Sequence, residues 1–367
     1  MSPQRESNYA LAAATDVAEV PAPELPYQPP APRRYHPRIG LIGCGGISAN
    51  HLDAYRTAGW DVVALCNRTR AKAEQRRREF FPAAEVHTDY REVLGRRDID
   101  VVDITLHAAE RAPVVAEALR ARKHVLSQKP LANDLATARE LAALAQTQRV
   151  RLAVNQNGRW APYMSYAWHA VAAGLLGEVQ TVQVRLNWDH TWCAGTPFEE
   201  MRHLILFDFG IHWFDFVAQL FSGRAAQRVQ ASVSKAPGQA MKPPMLAQAI
   251  VEFDAGLASL SFDGHSRHGA EEAILVTGTR GTLRSRGKVV ENDWVELHTQ
   301  DGVSHPRLAG KWFNDGFRGA MGELLCAIEE DREPAHSATN NLRTLALTLA
   351  ACRSADTGQP QVPEVST

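Results

Sequence analysis

The sequence has no excess charge of either sign and no long apolar run. Its 40 Lys and Arg against 41 Asp and Glu give a formal net charge of −1 over 367 residues, which argues against nucleic acid or an anionic membrane as a partner. No apolar run reaches the length of a transmembrane helix. Near the N-terminus residues 11–14 are apolar, but Asp16 and Glu19 follow at once, unlike the core of a signal peptide. We therefore expect a cytoplasmic protein that binds neither nucleic acid nor membrane.

Cysteine is also scarce, and its spacing carries no motif. The five cysteines contain no C-x-x-C pair; they are Cys44, Cys66, Cys193, Cys326 and Cys352. This scatter fits a reducing compartment better than a disulfide framework. His203 with His212, or His265 with His268, lacks a third residue at ligand spacing, so we expect no metal site.

Proline concentrates in the first 37 residues, which contain eight prolines. Such a composition predicts an extended or disordered arm over residues 1–37. A mobile tail is the simplest interpretation of its first twenty residues. Leu25, Tyr27 and Tyr35 are apolar enough for the remainder to lie against the body of the protein or a partner subunit.

Residues 38–155 alternate between short apolar strands and helical patterns. This alternation predicts a Rossmann domain with a doubly wound parallel sheet covered on both faces. The predicted strands are 39–42, 62–66, 85–87, 101–104, 124–126 and 152–154. The predicted helices are 47–57, 70–80, 113–122 and 135–146.

Residues 156–367 have a different texture, with consecutive β-rich runs separated by turn signals. They predict an α+β domain with a large, open, mostly antiparallel sheet. The predicted strands are 179–188, 228–233, 247–253, 257–262, 272–277 and 281–285. The predicted helices are 163–173, 207–221, 315–330 and 339–355, the last of which could pack back on the Rossmann domain. A second subunit could cover the open sheet face, so we expect a homo-oligomer, either a dimer or a tetramer.

A glycine-dense turn follows the first predicted strand. Gly43 and Gly45 take the first two glycine positions of G-x-G-x-x-G, Ser48 takes the third, and Gly46 and Ile47 lie between. Such a turn lets the backbone approach a pyrophosphate, which the N–H groups at the helix start then bind. A plain glycine turn between two packed elements is the alternative, and the strand–helix context favours the dinucleotide.

The second strand should end beside the adenosine ribose of that dinucleotide. Dinucleotide folds usually place a carboxylate there, but Asn67 and Arg68 stand at this point, 24 residues after Gly43. Asn67 can bond a ribose hydroxyl, and Arg68 can hold a 2′-phosphate. The alternative is a capping Asn beside a solvated basic face. This composition favours NADP slightly over NAD and leaves both open.

Two further stretches carry groups suited to chemistry. Lys129 precedes Pro130 at the end of a predicted strand, where ligands bind in open α/β sheets; a surface lysine is the alternative. In a helix, Asp208 and His212 would be i, i+4 neighbours, so the carboxylate could orient the imidazole. A core histidine satisfied by Asp208 is the alternative there.

Taken together, these stretches resemble the Gfo/Idh/MocA oxidoreductase family from about Arg38 to Phe221, and more loosely beyond. The segments that carry the resemblance are 43–47 (GCGGI), 123–130 (KHVLSQKP), 157–162 (NGRWAP) and 208–215 (DFGIHWFD). Two departures stand out. Gln128 replaces the usual Glu before the Lys-Pro pair, and residues 106–108 with Arg111 replace the usual Thr-Pro-Pro and later His. From these departures we expect the nicotinamide side of the pocket to differ from that of the family.

The resemblance implies reversible hydride transfer between NAD(P) and a carbinol carbon of a sugar or cyclitol. It implies that His212 is the acid/base held by Asp208, that Lys129 bonds the reacting hydroxyl, and that Gln128 and Lys129 lie beside the cofactor. The candidate substrate residues are Arg159, Trp188, His190, Trp192, Arg202 and His203. Ordinary core packing is the alternative for Trp188 and Trp192. A tightly held cofactor serving elimination or epimerisation through a 3-keto sugar, and a non-catalytic NAD(P)-binding sensor or scaffold, remain alternative functions.

Overall fold

The first sheet consists of six parallel strands in the order β3-β2-β1-β4-β5-β6. In this computed structural model, which describes residues 17–364 apart from the side chain of Asp293, the strands are β1 Arg38–Ile42, β2 Asp61–Cys66, β3 Glu85–His87, β4 Val101–Ile104, β5 His124–Ser127 and β6 Leu152–Val154. Residues 1–16, which hold most of the expected mobile tail, lie outside this range. Near-continuous apolar strands such as VVDI fit a sheet covered on both faces. The predicted Rossmann fold is confirmed.

The helices of this part are α1 Ser48–Ala58, α2 Arg70–Phe80, α3 Tyr90–Gly95, α4 Ala108–Arg120 and α5 Leu135–Gln148. Two of them differ from the prediction. The short α3, capped by Asp89, was not predicted. Helix α4 begins at Ala108 rather than at Pro113, so the proline lies inside it. Proline favours the first turn of a helix, which is why the sequence pattern placed the start too late.

The second sheet has eight strands in the order β14-β13-β12-β11-β7-β10-β9-β8. They are β7 Val179–Asn187, β8 Ala226–Ser234, β9 Leu246–Phe253, β10 Leu257–Asp263, β11 Glu271–Gly278, β12 Gly281–Lys288, β13 Glu291–Thr299 and β14 Gly302–Ser304. Only the β7–β10 pair is parallel, so the mostly antiparallel prediction is confirmed. The last two strands were not predicted. Along β7 buried and exposed residues alternate, which leaves one sheet face open.

The remaining helices are α6 Pro162–Ala172, α7 Ile211–Leu220, α8 Trp312–Glu329 and α9 Ala338–Thr357. Helix α8 shares a buried apolar cluster with β1 and α1, to which Phe317 and Leu324 belong. The segment before α9 pairs with β6, where the Val154 N–H donates to the His336 carbonyl over 2.9 Å. Both late helices therefore pack on the first sheet, and α9 also lies along β8. No helix within residues 17–364 is long and apolar enough to cross a membrane.

The described part of the proline-rich arm packs against the body of the same protein chain. The Val20 N–H donates to the Val303 carbonyl in β14 over 2.8 Å. Further along, the Glu329 carboxylate accepts the backbone N–H groups of Arg33, Arg34 and Tyr35. The arm thus runs from the edge of the large sheet to the end of α8, and it links the two halves of the fold.

Candidate active site

The glycine turn forms an open cradle at the carboxyl end of β1, where β4 lies on one side and β2 on the other. Gly43 adopts φ +107°, and a Cβ there would lie 3.0 Å from the Thr105 backbone. A Cβ on Gly45 or Gly46 would meet open space. No backbone acceptor within residues 17–364 takes the N–H groups of Gly45, Gly46 or Ile47. A cradle of free N–H groups at a helix start fits a pyrophosphate.

The residues at the end of β2 support this turn. The Cys44 N–H donates to Asn67 Oδ1 over 3.0 Å, and Asn67 Nδ2 donates to the Thr69 carbonyl over 3.1 Å. One N–H and one lone pair of the Asn67 amide stay available for a ligand. Arg68 is exposed and pairs with Glu110 at 2.7 Å. Sequence reasoning missed Arg76, whose guanidinium donates to the Gly45 carbonyl and Ser48 Oγ, each at 3.2 Å.

Lys129 lies at the end of β5 and reaches across to the second half of the chain. Its Nζ donates to the Asp208 carbonyl over 2.7 Å and lies 3.1 Å from Asp208 Oδ1. Both side chains are mostly buried. The preceding Gln128 accepts the Lys129 backbone N–H on its Oε1 over 2.7 Å. The structure therefore brings Lys129 and Asp208 together beside Gln128.

The Asp208 carboxylate binds Lys129, and no hydrogen bond joins it to His212. Residues Leu204–Phe209 form a π-helix, and α7 begins only at Ile211. The wide turn is closed by the Gly210 N–H, which donates to the Ile205 carbonyl over 2.7 Å. Because a π-turn holds one residue more than an α-turn, the i, i+4 geometry that we expected for Asp208 and His212 does not form. The expected orientation of His212 by Asp208 is corrected accordingly.

His212 lies on the first turn of α7 among aromatic rings. Its ring centroid is 5.3 Å from that of Trp312 and 6.3 Å from that of Trp213. Its Nδ1 is enclosed and has no hydrogen-bond partner within the described chain, whereas its Nε2 is accessible. Burial, and then the charge of Lys129, lower the pKa of His212 well below its usual value. The imidazole is therefore neutral at neutral pH and can accept a proton.

Residues 188–198 form an aromatic wall that packs on Phe209. The His190 ring packs 5.2 Å from Trp188, 5.0 Å from the exposed Trp192 and 4.4 Å from Phe209, measured between centroids. Phe198 extends the wall to His107 at the start of α4, with centroids 5.5 Å apart. Sequence reasoning had not singled out Phe198, because a lone Phe in a loop carries no signal.

Three expected substrate residues are engaged elsewhere. Arg159 forms a buried bidentate pair with Asp215, at 2.8 and 2.7 Å, and its remaining nitrogen donates to the Ala335 carbonyl. Its Nη2 also donates to Asn340 Oδ1 over 2.7 Å. Four of the five N–H groups of this guanidinium are thus engaged within the chain, so we remove Arg159 from the substrate set. Arg202 is exposed and pairs with Asp356 of α9 at 2.6 Å, and His203 lies 2.8 Å from the same carboxylate. These contacts place Arg202 and His203 on the α9 surface.

Arg111, which we expected only as a departure from the family pattern, is a buried cation. It is 1% exposed, and its guanidinium donates to the carbonyls of Leu106 and Pro130. No carboxylate between residues 17 and 364 lies within ion-pair distance of it. Burial lowers its pKa to about 9, and the charge of Asp208 opposes this shift. Arg111 thus ties the loop after β4 to the Lys129–Pro130 segment.

In the described part of the chain, neither a metal cluster nor a disulfide accompanies these groups. Within residues 17–364, no group of three or more His, Cys, Asp or Glu side chains is arranged to hold a metal ion. All five cysteines are free and buried.

Comparison with known proteins decides the family. The profile described as "Oxidoreductase family, NAD-binding Rossmann fold" matches residues 37–156. The profile "GFO/IDH/MocA C-terminal domain" matches residues 164–284. The chain belongs to the Gfo/Idh/MocA oxidoreductase family.

Relatives match this Gfo/Idh/MocA protein over most of its length. It is 28% identical over 341 residues to D-apiose dehydrogenase of Paraburkholderia graminis, an alignment that covers 87% of this chain and 88% of the relative. It is 25% identical to inositol 2-dehydrogenase of Rhizobium meliloti, with 86% and 96% covered. An oxidoreductase of Agrobacterium radiobacter, solved in complex with NAD+, L-tartaric acid and magnesium, superimposes with a TM-score of 0.81. That chain is 19% identical, with 89% and 98% covered, and the likeness shows the fold.

The residues of this Gfo/Idh/MocA chain fit the dinucleotide that its family binds. Gly45 and Gly46 leave the space that a pyrophosphate needs, and Asn67 keeps hydrogen-bonding capacity at the end of β2. Gln128 and Lys129 stand at the end of β5, where the nicotinamide half would lie when the dinucleotide crosses the β1–β4 switch point. When bound, this cofactor accepts or supplies a hydride.

We expect His190 to make the protein less stable in acid. Burial lowers the pKa of His190 to about 4 in the folded protein. In the unfolded chain, the same imidazole is protonated already near pH 6.5. Between these values unfolding binds a proton, and stability falls by about 3 kcal/mol as the pH falls. The difference in unfolding free energy between wild type and His190→Asn should change by this amount between pH 7 and pH 4, as measured by urea denaturation.

The comparison with the variant is needed because Glu272 acts in the opposite direction. Burial raises its pKa to about 7, so its protonation stabilises the fold as the pH falls. Glu272 is present in both proteins and cancels in the difference. A difference that stays constant from pH 7 to pH 4 would show that His190 does not titrate as expected.

Proposed function

We propose that the protein is an NAD(P)-dependent oxidoreductase that oxidises a secondary alcohol of a sugar, sugar derivative or cyclitol, reversibly. The observation that supports this proposal best is a lysine with one unengaged N–H near a neutral histidine, close enough for its charge to lower the pKa of that histidine. Lys129 follows β5, and His212 lies on α7. The curated relatives named above, a D-apiose and an inositol dehydrogenase, support the substrate class.

Lys129 is proposed to bind the reacting hydroxyl. An ammonium has three N–H donors, of which two are directed at the carbonyl and carboxylate of Asp208. The third remains for a substrate oxygen. A hydrogen bond to that oxygen stabilises negative charge as the hydroxyl loses its proton. Asp208 therefore serves as the group that holds Lys129 in place.

His212 is proposed as the base that removes the hydroxyl proton. Its lowered pKa keeps it neutral, and the enclosed Nδ1 leaves Nε2 to face the substrate. In the reverse direction, the same nitrogen returns the proton to the carbonyl oxygen. Trp188, His190 and Trp192 are proposed to form the substrate wall, because aromatic faces suit the C–H side of a sugar ring.

Replacing either central residue should abolish turnover while the cofactor still binds. In Lys129→Met and His212→Asn we expect kcat to fall by about 10²- to 10⁴-fold, the usual contribution of acid–base catalysis. Initial rates of NAD(P) reduction would be measured over a panel of sugars and polyols. Dissociation constants for the cofactor would come from fluorescence titration.

Lys242→Met is the matched control for this experiment, because Lys242 is an exposed lysine that pairs with the exposed Glu200. It should retain wild-type kcat. Turnover by Lys129→Met or His212→Asn within a few-fold of wild type would contradict the mechanism.

The cofactor is proposed to be NADP rather than NAD, on a slight preference. Arg68 occupies the position at which NAD-binding folds usually have a carboxylate, which would repel a 2′-phosphate. The ion pair between Arg68 and Glu110 is exposed and therefore weak, so a phosphate could replace Glu110. Arg68→Ala should weaken NADPH binding about tenfold and leave NADH binding unchanged. Arg78→Ala, an exposed arginine on α2, is the control. Equal effects of Arg68→Ala on both cofactors would favour NAD.

The chain is proposed to form a cytoplasmic homo-oligomer, a dimer or a tetramer, through the open face of the large sheet. Ile250 of β9 and Leu257 of β10 are 44% and 42% exposed on that face, and Arg228 with Glu252 lies beside them. Ile250→Arg should convert the oligomer to a monomer in size-exclusion chromatography with light scattering. Val362→Arg, exposed in the C-terminal segment, should not. A wild-type monomer would contradict the proposal.

A further inference from the structure

A row of polar side chains runs through the first sheet beneath the candidate site. Asp103 in β4 and His51 in α1 are fully buried, Asn155 after β6 is 1% exposed, and Gln128 after β5 is 8% exposed. Burying such groups is costly unless they are hydrogen-bonded to one another. In this protein, hydrogen bonds link these four side chains one after another, and the last of the four bonds to the Lys129 backbone.

The direction of these hydrogen bonds is fixed by a backbone donor. The Lys129 N–H can only donate, and it lies 2.7 Å from one atom of the Gln128 carboxamide, which must therefore be the oxygen. The nearest Asn155 atom lies 3.2 Å from that same oxygen, so it must be the donor Nδ2. Gln128 and Asn155 each have one orientation that satisfies these contacts.

The same reasoning sets the state of His51. Asn155 Nδ2 also lies 3.2 Å from His51 Nε2, which must be an unprotonated acceptor. The ring proton is then on Nδ1, which lies 2.7 Å from Asp103 Oδ2, an acceptor suited to it. A carboxylate, a neutral imidazole and an amide thus donate and accept in one consistent direction.

The consequence falls on the exposed end of this row. With its oxygen turned inward, Gln128 presents its NH2 group on the opposite side. Within the described chain Nε2 has no hydrogen-bond partner, and it is not among the enclosed atoms. The residue follows β5 directly, so this NH2 group stands beside Lys129 at the mouth of the candidate cofactor site.

We propose that His51 and Asn155 are positioning residues that fix Gln128 as a hydrogen-bond donor to the carboxamide oxygen of the nicotinamide, the part of the cofactor that ADP-ribose lacks. This inference rests on the proposed function. Asp103 sets the tautomer of His51, and His51 and Gln128 together orient Asn155. The position therefore contributes a donor to the site and no acceptor.

Binding of NADH and of ADP-ribose separates this role from a merely structural one. ADP-ribose keeps the adenosine, pyrophosphate and second ribose but lacks the nicotinamide. Asn155→Leu removes the donor that holds the Gln128 oxygen inward, and Gln128→Glu turns the outward NH2 group into an acceptor. For both variants, we expect NADH to bind about tenfold more weakly, the effect of one lost hydrogen bond with an unpaired group, and ADP-ribose to bind as in wild type.

Tyr55→Phe is the matched control. The Tyr55 hydroxyl donates to the same Asp103 Oδ2 over 2.7 Å, so its loss disturbs the buried carboxylate but leaves the contacts from His51 to Gln128 in place. Both ligands should bind this variant as they bind wild type. Of the side chains in this row, Gln128 lies nearest the protein surface. Gln128→Glu therefore provides the test if Asn155→Leu does not fold.

The tautomer of His51 gives a second readout that needs no ligand. In the wild-type protein, ¹⁵N spectra of labelled histidine should show His51 protonated on Nδ1 alone. A proton on Nε2 would overturn the inference. So would an equal loss, or no loss, of NADH and ADP-ribose binding in the variants, and either result would leave the proposed function standing. Failure of wild type to bind NADH, ADP-ribose and NADPH would instead overturn the proposed function.

Discussion

The contact between Lys129 and Asp208 is the interaction on which the candidate site depends. It joins the end of β5 in the first sheet to the π-helical segment that precedes α7. Neither half of the chain contains the arrangement alone, so the site exists only while the two halves are packed together. Helices α8 and α9 and the proline-rich arm all cross between the halves and hold them in this position. Side chains in a site of this kind need the rigidity that such packing supplies.

The features that the sequence predicted are those set by local pattern. The six strands of the first sheet were found because buried parallel strands are short apolar runs, and the glycine turn because its spacing is tied to backbone geometry. The strands missed in the second sheet have another character. Strand β13 opens with Glu291 and Asn292, and β14 has only three residues. Such segments become strands because a neighbouring edge is available to pair with them, which no local window reveals.

The side-chain contacts that the sequence could not predict are long-range ones. Asp208 and His212 fit an i, i+4 pair, but the π-turn before Gly210 separates them. The turn is tight at Gly210, where a Cβ would lie only 2.8 Å from the Ile205 carbonyl oxygen. Arg159 fits a substrate ligand until its partner, Asp215, 56 residues away, is known. In both cases the residue type was informative about chemistry, and only the fold decided which partner used it.

The electrostatics of the site follow from the same packing. His190 and His212 are kept neutral by burial, and Lys129 and Asp208 offset one another. Arg111 is left as a buried charge with no ion-pair partner in the described chain, and it stays protonated at neutral pH because its pKa of about 9 is still above that range. It is attached to the carbonyls of Leu106 and Pro130, so its charge is fixed at the ends of β4 and β5. A fixed positive charge in a water-poor site stabilises negative charge nearby more than it would in water. In the proposed reaction, negative charge develops on the substrate oxygen held by Lys129. Arg111 would therefore favour loss of the hydroxyl proton without touching the substrate.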